Sequence, residues 1–123
     1  MITGLDHIVL TVRDVDAAAA VFARVLGMVP VTFAGNRRAV TFGSQKINLQ
    51  SLGQETRNRA VIGSEDLCLL SDWPMDRITD HLAAEGITVL EGPVAKSGAT
   101  GPILSVYFHD LDENLIEVSV PAD

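Results

Sequence analysis

The order of elements along the chain occurs twice, and this repetition limits the possible folds more than any single motif does. Strand-like "LDHIVLTV" leads into Asp14, then "VDAAAAVFARVL", then Gly27, followed by strand-like "VPVTFA", "RAVTFG" and "KINLQSL". From Glu65 the order returns: "EDLCLLS", Asp72, "WPMDRITDHLAAE" and Gly86, then "ITVLE", "LSVYFHD" and "NLIEVSV". Asp14 suits a helix N-cap and Gly27 a C-terminal stop. Pro74 suits the first turn of the second helix, where a missing N–H costs little. Direct identity between the halves is slight; the match lies in order and spacing, and it predicts an α+β fold of tandem βαβββ repeats.

One domain spanning residues 1–123 is expected, because a chain of 123 residues holds one proper core and is too short for two ordinary ones. The first module covers about 1–53, the polar "GQETRNRAVIG" at about 53–63 connects, and the second covers about 64–120.

A module with one helix can cover only one face of its sheet, so the opposite faces either meet or line a cleft. Side-chain alternation tells the two faces apart. On the first strand Asp6, Ile8, Leu10 and Val12 form one row, and Leu5, His7, Val9 and Thr11 the other. In "KINLQSL", Ile47 and Leu49 oppose Asn48 and Gln50; in "EDLCLLS", Leu67 and Leu69 oppose Asp66, Cys68 and Leu70. On the last strand Ile116, Val118 and Val120 oppose Leu115, Glu117 and Ser119. The polar rows predict a cleft carrying His7, Asp66, Glu117 and the two amides. Superposing the repeats places His7 opposite Asp66. Counting from Phe42 and Phe108 places Gln50 near the register of Glu117, with Asn48 one pleat away.

Charge and composition narrow the partners. The formal net charge of -7 opposes binding to a phosphate backbone, so nucleic acid is not expected. Arg37, Arg38, Arg57, Arg59 and Lys96 are read as solvated charge rather than an anion site. No apolar run is long enough to span a bilayer, and "MITGLDHIVL" lacks an export signal, so a cytoplasmic protein without membrane partners is expected. Cys68 is the only cysteine, which excludes an internal disulfide and leaves any metal to nitrogen and oxygen ligands. It is read as a small core residue. His81 and His109 are expected to face solvent, and "SGATG" to border the cleft. Tyr107 alternates with Ser105, which leaves two readings, a hydroxyl that orients a ligand in the cleft or a ring packed in the core with its hydroxyl exposed. Aromatic residues make up only 5% of the chain, too few for an aromatic-lined groove.

The stretches "LDHIVLTVRDVDAAAAVFARVLGM" and "GATGPILSVYFHDLDENLIEVSV" resemble the vicinal oxygen chelate superfamily. That group includes glyoxalase I, fosfomycin-resistance proteins, extradiol dioxygenases and bleomycin-binding proteins. The chain looks closest to the glyoxalase-like set with "FG.QKINL" followed by histidine, "DLC" and "GATGPI.SVYF", with Gln50 in place of the histidine. The resemblance implies a divalent metal ion (Mn²⁺, Ni²⁺, Zn²⁺, Fe²⁺ or Mg²⁺) held by His7, Gln50, Asp66 and Glu117. With Glu117 as the catalytic ligand, it implies a metal-dependent lyase or isomerase acting on a small oxygenated substrate, as a homodimer. Two departures support an alternative, a non-catalytic protein that binds or sequesters a small molecule at an eroded metal site. One is Gln50. The other is the turn "DLDEN", which lacks the usual proline and glycine, so that either Glu113 takes a positive-φ position or the turn itself differs.

Overall fold

In the computed structural model, residues 1–122 are described, and they follow the doubled order. The first repeat contains β1 (His7–Val12), α1 (Val15–Leu26), β2 (Val29–Phe33), β3 (Arg37–Phe42) and β4 (Gln45–Ser51). The second contains β5 (Asp66–Leu70), α2 (Met75–Ala84), β6 (Glu91–Gly98), β7 (Gly101–His109) and β8 (Leu115–Pro121). Each repeat forms its own four-stranded mixed sheet, ordered β1-β4-β3-β2 and β5-β8-β7-β6. In each, the first strand runs parallel to the last and the remaining pairs are antiparallel. The chain divides into two compact units, Met1–Ser64 and Glu65 onward. Among the described residues no helix is long and apolar enough to cross a membrane.

The first unit is built around α1. Asp14 is extended (φ -135°) and its carboxylate accepts from the Ala17 N–H at 3.0 Å, the expected N-cap. Gly27 adopts φ 68° and its N–H donates to the Ala23 carbonyl, while Met28 N–H reaches Phe22. This left-handed stop is one a side chain would strain. Between the caps Ala18, Ala19, Phe22 and Val25 fall on one buried stripe, which packs on β2, β3 and β4. The sheet offers Leu10, Val12, Val40, Ile47 and Leu49, all 4% exposed or less. Each of the larger side chains contributes about 1.5–3 kcal/mol by leaving water.

The second unit uses the same plan with a shorter helix. Met75, Ile78 and Leu82 are the buried residues of α2, which packs on β7. Below it lie two cross-strand pairs, Val106 with Val118 and Phe108 with Ile116, all buried. The helix starts later than expected: Pro74, at φ -66° and ψ 150°, is itself the N-cap, and Asp72 and Trp73 lie outside. Ile78 N–H closes the first turn on the Pro74 carbonyl, an acceptor role that proline retains. Arg77 stacks 3.6 Å above the Trp73 ring, so the tryptophan is held as a side-chain platform.

The strand expected at "ITVLE" is corrected. Only Glu91 of that run belongs to β6, which continues through "EGPVAKSG" and includes part of the presumed "SGATG" loop. The ladder to β7 shifts register between Glu91 and Val94, and that irregularity accommodates a Gly-Pro pair that would otherwise break a strand. The turn after β7 matches its expectation, with Glu113 at φ 67°. Asp110 sustains it by accepting from the backbone N–H groups of Asp112 and Asn114 and from the Asn114 side-chain amide, each at 2.9 Å. Burial nevertheless pushes the Asp110 carboxyl up from its usual value. Asn114 is fully buried and accepts from the Glu65 N–H at 3.0 Å, tying the entry of β5 to this turn.

Candidate ligand-binding site

In the first unit, the sheet face turned away from α1 carries His7, Val9 and Thr11 from β1 and Lys46, Asn48 and Gln50 from β4. Arg37 from β3 and Phe33 from β2 lie on the same face, since the ladder pairs them with each other and keeps the alternation in step. A cavity of about 600 Å³ opens on this face, within the range of small-molecule sites. Its lining consists of seven of those residues (all but Thr11) together with Glu55, Arg57 and Asn58 from the following loop.

The polar groups of this cavity differ in how far they are satisfied. Gln50 is 7% exposed and its Nε2 donates to Thr11 Oγ1 at 3.1 Å, so one amide is held within the sheet. Asn48 is 4% exposed, and its Oδ1 is buried without a hydrogen-bond partner. Leaving a buried acceptor unpaired costs about 1–3 kcal/mol. Glu55 grips the Arg57 guanidinium through both carboxylate oxygens, at 2.8 and 2.6 Å. That grip holds the Glu55 carboxyl down at about 2, so the loop pair is ionised at neutral pH. Lys46 places its ammonium 3.8 Å from the Phe33 ring centre, and the Arg37 guanidinium lies 5.1 Å from the same ring. His7 Nδ1 meets Asp6 Oδ1 at 2.8 Å, a bond that lowers the Asp6 carboxyl from its usual value.

In the second unit the corresponding face is a closed network. Ser105 Oγ donates to Glu117 Oε2 at 2.6 Å, and Ser119 Oγ lies 2.7 Å from Ser105 Oγ and 3.4 Å from the same carboxylate oxygen. Cys68 Sγ extends the chain to Ser119 at 3.3 Å. Desolvation raises the Cys68 thiol, with the nearby carboxylates adding to it, so it is no activated nucleophile. It is also exposed, contrary to the expected core position. Desolvation first, and then the Glu117 carboxylate, push the Tyr107 phenol up to about 12.

The ladders also correct the expected register. Lys46 lies beside His7, Asn48 beside Val9 and Gln50 beside Thr11; Leu115 lies beside Asp66, Glu117 beside Cys68 and Ser119 beside Leu70. Measured from His7 and Asp66, Asn48 holds the position of Glu117, and Gln50 that of Ser119. Counting from the phenylalanines misled because the β3–β4 hairpin has two loop residues, Gly43 and Ser44, and the β7–β8 turn has five. His7 and Gln50 therefore sit four ladder positions apart, roughly 13 Å along the strands. Among the described residues no group of three or more His, Cys, Asp or Glu side chains is gathered as a metal ion requires. Of the four residues that the resemblance implies for a divalent ion, the first unit holds His7, with Nδ1 on Asp6, and Gln50, and the second holds Asp66 and Glu117, with Oε2 engaged by two hydroxyls, so neither unit by itself brings the set together.

Sequence reasoning missed Phe33, Lys46, Glu55 and Asn58 as site residues, and it assigned Arg37 and Arg57 to solvent. The alternation of "KINLQSL" already placed Lys46 on the amide row and was the available signal.

The comparisons agree with this architecture. Residues 4–118 match the family model described as the Glyoxalase/Bleomycin resistance protein/Dioxygenase superfamily. Virulence protein STM3117 of Salmonella typhimurium is 43% identical over 97% of this chain and 85% of its own length. The glyoxalase domain-containing protein RDO1 of Mycosarcoma maydis is 46% identical over 96% of this chain and 68% of its own. Among solved structures, the integron cassette protein VCH_CASS1 from V. cholerae superposes with a TM-score of 0.94 at 45% identity, covering 99% and 98% of the two chains. With its doubled βαβββ order and a family match over nearly its whole length, the chain belongs to the glyoxalase/bleomycin resistance protein/dioxygenase superfamily.

Proposed function

We propose that this protein binds or sequesters a small molecule in the cavity of its first unit, without metal chemistry. The observation that carries the reading is Asn48, which lines a cavity of ligand size and keeps its buried carbonyl oxygen unpartnered. A fold tolerates such a deficit where a ligand supplies the missing partner. A second support is the spent state of the second unit, where Glu117 is engaged by serine hydroxyls.

The competing reading, a metal-dependent isomerase or lyase, draws on family membership and on the half-exposed imidazole of His7. One experiment separates them. Calorimetry with a small-molecule fragment set is run with and without chelator, beside metal analysis of the protein after incubation with Mn²⁺, Ni²⁺, Zn²⁺, Fe²⁺ and Mg²⁺. Binding unchanged by chelator, with less than stoichiometric metal, is the expected result. About one ion per chain, lost in His7→Ala and Glu117→Ala variants and required for turnover, would overturn it.

A further inference from the structure

We propose that the first-unit cavity selects a small molecule with two features: an oxyanion, taken by Lys46 and Arg37, and an O–H or N–H donor, taken by Asn48 Oδ1. The inference rests on the binding reading above and adds the chemical class of the ligand.

The charge pattern assigns the oxyanion. Three cations and one acid line the cavity, and the acid is already committed, because Glu55 holds Arg57 by two contacts. Lys46 and Arg37 are different: among the described residues neither is seated in a direct ion pair, Lys46 having only the longer-range pull of the exposed Asp6 carboxylate, and both lie over the ring of Phe33. A ring face positions a cation without neutralising it. Two positive charges set on one ring and outside any direct ion pair, in a chain of net charge -7, form a local anion site against the overall field.

The donor follows from Asn48. Its Oδ1 is an acceptor only, so the group that satisfies it must bring a hydrogen. Gln50 does not provide it: its Nε2 donates to Thr11 Oγ1, and no donor reaches Asn48 Oδ1. Lys46 and Asn48 alternate on one face of β4, two residues apart, which puts the two recognition points about 7 Å apart along the strand. Val9 on β1, the ladder partner of Asn48, leaves an apolar surface for the body of the ligand. Carboxylates, phosphonates and phosphate esters share the required anion, and a donor across a flat spacer meets the spacing.

The probes are 4-hydroxybenzoate, benzoate (no donor), 4-hydroxybenzamide (no charge) and 4-hydroxyphenylphosphonate, titrated into the full chain by calorimetry and amide NMR. In the wild type, 4-hydroxybenzoate is expected to bind about tenfold tighter than either deleted analogue, the factor for one hydrogen bond or charge contact at a desolvated site. The phosphonate arm separates the sources of the anion: tighter binding than the carboxylate assigns a phosphorus oxyanion, and weaker binding a carboxylate. Asn48→Leu should abolish the preference for 4-hydroxybenzoate over benzoate while leaving the preference over the amide. Lys46→Met should do the reverse, and its half-exposed position keeps it foldable. Equal binding of the hydroxylated and unhydroxylated acids, or a preference that survives Asn48→Leu, overturns the assignment, as does no binding of any acid. The underlying reading fails separately, if neutral fragments of similar size also leave the Lys46 and Asn48 amide signals unmoved.

Discussion

β4 and β8 occupy the same place in their sheets, each parallel to the first strand of its repeat and antiparallel to the preceding one, yet they spend their polar side chains in opposite ways. On β8, Glu117 and Ser119 join Ser105 in a chain of hydroxyl and carboxylate contacts that satisfies itself. On β4, Asn48 at the ladder position of Glu117 keeps its carbonyl oxygen unpartnered, and Lys46 rests on an aromatic ring. The lesson is that topology supplies a polar row in both halves, while the number of internal partners decides which row is free to meet a ligand. A satisfied network stabilises the fold; an unsatisfied one is a cost that binding can offset.

The largest expected effect is on the satisfied side. Ser105→Ala removes a fully buried hydroxyl that contacts both Glu117 and Ser119, and should lower the unfolding free energy by about 2–3 kcal/mol in urea denaturation. A change within 0.5 kcal/mol (roughly the noise for a surface substitution) would break the contrast. Next come the helices. Asp14→Ala should cost about 1 kcal/mol because it removes the cap of α1, while Asp72→Ala should leave the midpoint unmoved, since α2 has no side-chain cap. On the unsatisfied side the sign reverses. Asn48→Leu should leave the ligand-free protein as stable as before, or up to about 1 kcal/mol more stable, because it deletes an orphaned acceptor. A large loss of stability would show that Asn48 is structural.

The smallest effect is spectroscopic. Tyr107 is the only tyrosine, so phenolate absorbance reports it alone, with a midpoint near 12 against an ordinary 10.0. Glu117→Gln should lower that midpoint only part of the way, because desolvation is the larger cause. The linkage has a definite sign. A phenol raised in the folded state contributes stability that is fully present below pH 10 and is lost as pH rises from about 10 towards 12.

Much of the fold is legible in the residues. Period-two alternation on β1, β4, β5 and β8, with Asp14 and Gly27 bounding α1, suffices to order the repeat, because one helix per sheet forces one apolar and one polar row. β6 is hidden because Gly92 and Pro93 signal a break that the register shift absorbs. The polar rows of the site are equally legible, down to His7, Asn48 and Gln50. The register error at Gln50 is not: it depends on unequal hairpin lengths that carry no hydrophobic signal. Nor does sequence reveal that Arg37 and Lys46 meet over Phe33, since three strands must first be aligned. That Asn48 lacks a partner is a property of everything around it and of nothing in its own neighbourhood.

Gly92 extends the comparison into inheritance. It holds φ 107° at the irregularity of β6, and a methyl group there would collide with the backbone of Ser105 and Val106. Ser105 in turn holds the Glu117 carboxylate. Among random variants, Gly92 should therefore tolerate change no better than Ser105, and because the collision is with main-chain atoms it persists whatever residue stands at 105. A side chain at 92 would have to displace the main chain that carries Ser105, and with it the hydroxyl that meets a carboxylate on another strand.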